Sequence, residues 1–195
     1  MAAVSIAEAW PARGQPFTVS DLDRMPDDGH RYELLDGALI VSPRPTTVHQ
    51  LAATKLVTLL ENACPDGLCV LVEPAVQLAV DTEFDPDAVV ARQQDVGGAK
   101  ITAPPLLVVE IRSPSTALID LNRKKAAYQR FGVPSYWIVD PDLRQPSVTA
   151  FELLDGRYTT LASVEGHEVL RAEQPFAVRV VPALLLAGLP RQPEG

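Results

Sequence analysis

Glu110 stands inside the run Leu106-Leu107-Val108-Val109-Glu110-Ile111-Arg112, the most strand-like stretch of the chain. Alternation puts Leu106, Val108, Glu110 and Arg112 on one face. An ionised carboxylate in such a strand is costly to bury unless a cation or several donors meet it. A structural ion pair, or a strand end emerging into solvent at Glu110, would meet that condition as well as a functional role would. A second carboxylate shifts the balance. Asp87 opens the short run Ala88-Val89-Val90, twenty-three residues earlier, and two adjacent strands would set its carboxylate beside that of Glu110. Hard oxygen donors converging at strand ends suit Mg²⁺ or Mn²⁺, with waters and a substrate phosphate completing the coordination. Such an ion offsets charge on a phosphodiester and lowers the pKa of a bound water. Asp85 competes for the role of Asp87, and Asp85-Pro86-Asp87 also reads as a turn.

Lys124 lies on a helical segment with Asp120 and Tyr128 at i−4 and i+4, so the three share a face. From there a lysine could reach over the sheet edge to a phosphate or orient an attacking water. The basic run Arg123-Lys124-Lys125 equally suits an exposed face. Glu33 is a candidate extra metal ligand or water-positioning group, and also an ordinary surface charge. His49, at the start of its helix, could donate to an anion, or be a capping or exposed histidine. Histidines at 30, 49 and 167 are too scattered for a zinc site.

The elements that must position these groups are legible in outline. Phe17 to Met25 reads as a short helix capped by Thr18 or Ser20. Asp36-Gly37, between Tyr32–Leu35 and Ala38–Val41, signals a hairpin, since both turn residues tolerate positive φ. His49 to Ala63 has the stripe Ala52, Leu56, Leu59, Leu60 and Ala63, with Thr46 or Thr47 as cap. Strands are expected at Cys69–Val72, Ala75–Val80, Ala88–Val90, Leu106–Arg112 and Tyr136–Val139. Thr116 would cap a helix over Ala117–Phe131, closed by Gly132. Asp155-Gly156 repeats the turn signal in a β-rich stretch that runs on to Val180. The segments from Met1 to about residue 15 and from Pro190 to Gly195 read as loose termini. The expected fold is a mixed-sheet α/β or α+β domain.

Of the 195 residues, 47% are hydrophobic and 22% charged, as in folded globular chains and not disordered ones. No apolar run is long enough to span a bilayer, and Met1 to Ala12 lacks the pattern of a signal peptide. Cys64 and Cys69 are expected as buried thiols in a reducing, cytoplasmic setting. The net charge of −8 is unlike that of a non-specific DNA binder. A grip on DNA would therefore come from a local basic surface, from bound metal, or from an oligomer.

Several segments taken as a set resemble one family. They are Tyr32-Glu33-Leu34-Leu35-Asp36-Gly37, Ser42-Pro43 with His49, Pro86-Asp87, Val108 to Thr116, Asp120 with Lys124 and Tyr128, and Gly132 to Pro141. Together they resemble the Uma-two family, proposed restriction endonucleases of the PD-(D/E)XK superfamily, over about Tyr32 to Asp140. The resemblance implies a restriction-endonuclease-like fold, one domain over 1–195 with a core at about 32–141 and a β-rich extension at 146–186. It implies that Asp87 and Glu110 bind metal, that Lys124 stands in for the motif lysine, and that Glu33 is a further acidic site residue. One departure is Arg112, where the superfamily carries lysine. Arginine can hold a phosphate but cannot act as a base.

The expected function is thus a Mg²⁺- or Mn²⁺-dependent DNA endonuclease with Asp87, Glu110, Lys124 and Glu33 as catalytic residues, and Arg112 and His49 as phosphate contacts. DNA is the expected partner and a homodimer or higher homo-oligomer the expected assembly. The alternative is a weakly active or inactive nuclease-fold protein serving as a DNA- or protein-interaction module, which the acidic net charge and Arg112 favour. A serine hydrolase built on Ser113 or Ser115 lacks the Gly-x-Ser-x-Gly elbow and a histidine partner.

Overall fold

The computed structural model describes residues 14–113 and 117–189. Thr116, Pro114, Ser115 and both termini therefore lie outside the described residues, as do the side chains through Leu121, Asp120 included.

The chain opens with α1 (Val19–Leu22), then β1 (Arg31–Leu35) and β2 (Ala38–Ser42). Thr18 caps α1: its backbone N–H and hydroxyl both donate to Asp21 Oδ2, at 2.9 and 2.7 Å. Asp36 and Gly37 adopt φ of 49° and 77° in the hairpin between β1 and β2, the paired positive angles a two-residue turn needs. Next come α2 (Thr47–Ala63), β3 (Leu68–Val72), β4 (Val76–Ala79), β5 (Thr82–Phe84) and β6 (Ala88–Arg92). After β7 (Leu107–Ile111), α3 (Ala117–Phe131) crosses over to β8 (Ser135–Asp140). The hairpin β9 (Ser147–Leu154) and β10 (Arg157–Glu165), the ribbon β11 (Leu170–Ala172) with β12 (Val178–Val180), and α4 (Pro182–Leu185) complete it.

Six strands form the central sheet in the order β10-β9-β8-β7-β6-β3, and four form a second sheet ordered β2-β1-β5-β4. Within the central sheet β7 and β8 run parallel, which is why a helix is needed between them. All other neighbours there are antiparallel. The expected mixed α+β architecture is therefore present.

Each inner strand splits its side chains between two layers. Val109, Trp137 and Ala150 pair across β7, β8 and β9 and join the core under α2, where Ala52, Leu56 and Leu60 meet them. The β11–β12 ribbon and α4 complete that layer through Leu170, Val180 and Leu185. Val108, Tyr136 and Phe151 face the other way, against Ala127 and Tyr128 of α3 and against Leu35, Val76 and Phe84 of the smaller sheet. The molecule is thus three layers, with the small sheet and α3 side by side on one face of the large sheet. Two short elements differ from the sequence reading. β5 carries the charged Glu83 in a three-residue strand, and α4 forms at a proline-led turn. Both are too short to show a period. Cys64 and Cys69 are free thiols, half-buried where full burial was expected.

Candidate functional site

The polar cluster of the molecule is built where the small sheet, α3 and one end of β6–β7 meet. In β1 the core residue Leu35 marks the inward face, and alternation puts Glu33 and Arg31 on it. In β7 the core residue Val108 does the same for Glu110. The β6–β7 register pairs Ala88 with Val109, so one step further along sets Asp87 opposite Glu110 on the same face. On α3, Lys124 and Tyr128 are one turn apart and both buried.

Lys124 is the hub. Its Nζ lies 2.8 Å from Glu33 Oε1 and 3.3 and 3.4 Å from the two oxygens of Glu110. It also stands 5.1 Å from the centroid of the Phe84 ring. Tyr128 donates its hydroxyl to Glu110 Oε1 at 2.8 Å, and the Asp85 N–H donates to Glu33 Oε1 at 3.0 Å. Asp87 has a different set of partners. The Ile111 N–H donates to Asp87 Oδ2 at 2.6 Å. His49 Nε2 sits 3.3 Å from the same oxygen and 3.2 Å from the Ile111 carbonyl. Arg31 donates to the Asp85 carbonyl at 2.9 Å and approaches Glu73 at 3.1 Å and Asp87 Oδ1 at 3.5 Å.

These partners set the charge states. Burial pushes the Glu110 carboxyl up to about 7, with Glu33 and Asp87 adding to the rise against the pull of Lys124 and the Tyr128 hydrogen bond. Burial and the neighbouring Glu33 raise Asp85 to about 6. Asp87 moves the other way: burial alone would raise it, but the His49 hydrogen bond and charge, Arg31 and the Ile111 N–H hold it below the usual carboxylate value. His49 is correspondingly raised, because Asp87 outweighs burial. Burial and Glu110 keep the Tyr128 phenol neutral by raising it well above its ordinary value.

Among the described residues no three His, Cys, Asp or Glu side chains form a ready-made metal cage. Mg²⁺ does not ask for one; one or two carboxylates plus waters and substrate oxygens suffice. The donor set fits such an ion on two counts. Asp87 Oδ1 and Glu110 Oε2 have only contacts of 3.5 and 3.4 Å, so an oxygen of each is spare. Four carboxylates (Glu33, Asp85, Asp87, Glu110) crowd around two cations, Lys124 and Arg31, so acidic groups outnumber basic ones where burial already raises Glu110 and Asp85.

The sequence-derived candidates are distributed as follows. Glu33, Asp87, Glu110 and Lys124 converge. His49 is turned inward, 5% exposed, against Asp87. Arg112 forms an ion pair with Asp140 at the end of β8, so the cations at the carboxylates are Lys124 and Arg31. Arg31 was not foreseen; its place two residues before Glu33 in a strand was the signal that could have found it. Tyr128, marked only as sharing the face of Lys124, donates directly to Glu110.

The Uma2 family, described as "Putative restriction endonuclease", matches residues 19–185. The chain belongs to the Uma2 family. This is the family the sequence segments resemble, and the match takes in every residue of the cluster. A solved structure from Anabaena variabilis ATCC 29413, described as "a putative nuclease belonging to DUF820", shares the fold with a TM-score of 0.71. The two are 16% identical, over 88% of this chain and 98% of that one. No curated protein matches the chain in sequence. Among the described residues no helix is long and apolar enough to cross a membrane.

Proposed function

We propose that this Uma2 protein is a divalent-metal-dependent endonuclease hydrolysing DNA phosphodiester bonds, with Mg²⁺ or Mn²⁺ held by Asp87 and Glu110. The observation that carries the reading is the convergence of these two carboxylates, from adjacent strands, beside a buried lysine. Family membership and the nuclease description of the Anabaena protein support the same reaction class. When bound, the ion supplies Lewis-acid stabilisation and a water of lowered pKa.

The chain's own residues divide the remaining work. His49 and the Ile111 N–H fix the carboxylate of Asp87. The Tyr128 hydroxyl fixes Glu110. Glu33 holds the Lys124 ammonium at the cluster, from where it orients a water for in-line attack and offsets charge developing on the phosphate. Arg112 did not supply the motif cation, which had favoured an inactive interaction module; with Lys124 Nζ 3.3 Å from Glu110 that objection loses its force. Nucleases that cut both strands of a duplex often act as paired copies, so a homodimer or higher homo-oligomer is part of this proposal.

The test is cleavage of supercoiled plasmid with Mg²⁺ or Mn²⁺. Asp87→Asn and Glu110→Gln should each lower the rate by about a thousandfold, in the range for loss of one charge-stabilising group. Cleavage that persists in both variants assigns the activity to another site or a contaminant.

A further inference from the structure

Beside the acid cluster the molecule opens into a cleft of about 640 Å³ whose wall includes Arg31, Glu73 and Asp85 together with Arg44, His30 and Lys100. Its basic side chains differ sharply in how they are engaged. Lys100 lies 2.5 Å from Asp23 and 2.8 Å from Glu83. Arg31 is shared between Glu73 and Asp87. His30 Nδ1 is 2.9 Å from Asp28. Arg44 is exposed, and no hydrogen bond or ion pair with any described residue engages it.

Why Arg44 is left without an acid is visible in its surroundings. Its guanidinium lies across Gly29: a Cβ at that glycine would stand 3.0 Å from Arg44 Nε. Asp28, next in sequence, is already engaged. It accepts from the His30 N–H at 3.0 Å and from the Tyr32 hydroxyl at 2.7 Å. A glycine thus gives the planar group a flat seat while the adjacent carboxylate is turned to other donors.

We propose that Arg44 is a phosphate-binding residue, holding a backbone phosphate of the nucleic acid in this cleft while a neighbouring phosphodiester meets the acid cluster. The inference rests on the nuclease reading and deepens it by naming the residue that grips substrate. It also answers how a chain of net charge −8 holds a polyanion. The other basic side chains of the cleft are each engaged by a carboxylate, which leaves one planar fork of donors for an incoming phosphate.

The experiment is DNA binding followed by fluorescence anisotropy with a labelled duplex, in Ca²⁺ to hold turnover back, across a series of salt concentrations. Arg44→Ala should weaken binding about tenfold, and its log–log salt slope should be shallower by about 0.9, the value for one lost phosphate contact. Arg44→Lys should recover part of the affinity and nearly all of the slope. Arg157, equally exposed, follows the β9–β10 turn, at the end of the sheet away from Glu110; Arg157→Ala should bind like wild type. Melting temperature should be unchanged in all three. Wild-type binding with an unaltered Arg44→Ala affinity and slope overturns this inference alone. Wild-type protein that binds no DNA overturns the nuclease reading and the inference with it.

Discussion

The two faces of the central sheet are made from the same strands and do opposite things. On the α2 side, Leu56, Leu60, Val90, Val109 and Trp137 form an apolar layer, with His49 at the start of α2 buried at its end. On the α3 side, an equally dry layer of Tyr128, Tyr136 and Phe151 gives way, at one end, to a buried lysine among carboxylates. Glu110 and Val109 are sequence neighbours, yet one enters the charged cluster and the other the apolar core. The difference shows where this fold takes its stability and where it accepts a cost: burying charge is unfavourable unless fully paired, and burial raises the Glu110 carboxyl even with Lys124 and Tyr128 beside it.

That contrast can be broken by mutation. The largest effect is expected on the polar face from Lys124→Met, which keeps the volume and removes the hub cation. Leaving Glu33 and Glu110 to face each other should cost about 3–5 kcal/mol in urea unfolding. Adding Glu33→Gln should recover part of that loss, although neither variant should cleave DNA. If the single variant is as stable as wild type, the ammonium is not the counter-charge the distances indicate. On the apolar face, Leu56→Ala should cost about 2–4 kcal/mol through the cavity it leaves. Cleavage per folded molecule should stay unchanged, and an altered rate would mean the two faces are coupled. The smallest effect belongs to Tyr128→Phe, where one hydrogen bond to Glu110 is lost: about 1 kcal/mol of stability, with cleavage slowed several-fold. A loss as large as that of Glu110→Gln would place the phenol in the chemistry itself.

Much of this was written locally. The Asp36-Gly37 and Asp155-Gly156 turns, the caps of α1 and α2 and the stripe of α2 follow from chemistry within a few residues, and each is where it was expected. Glu110 stood out because a carboxylate conflicts with an apolar strand, and Asp87 because it opens an earlier apolar run. What the sequence did not carry is long-range register. Nothing near Arg31 says that it meets Asp87, fifty-six residues on. Nothing near Arg112 says that parallel pairing of β7 with β8 delivers it to Asp140. His49 looked like a surface donor until α2 was docked and turned it against the Ile111 carbonyl. β5, short and carrying Glu83, was invisible because its strand character comes from pairing with β1 and β4 and not from its own residues.

The most direct measurement is calorimetric titration of the wild-type protein, Asp87→Asn and Glu110→Gln with Mn²⁺ in the absence of DNA. A cation shared by the two strands predicts saturable binding by the wild type and its loss in each single variant, with all three proteins still folded. Undiminished Mn²⁺ binding by both variants would show that these two carboxylates hold no ion, and would contradict the reading built on them.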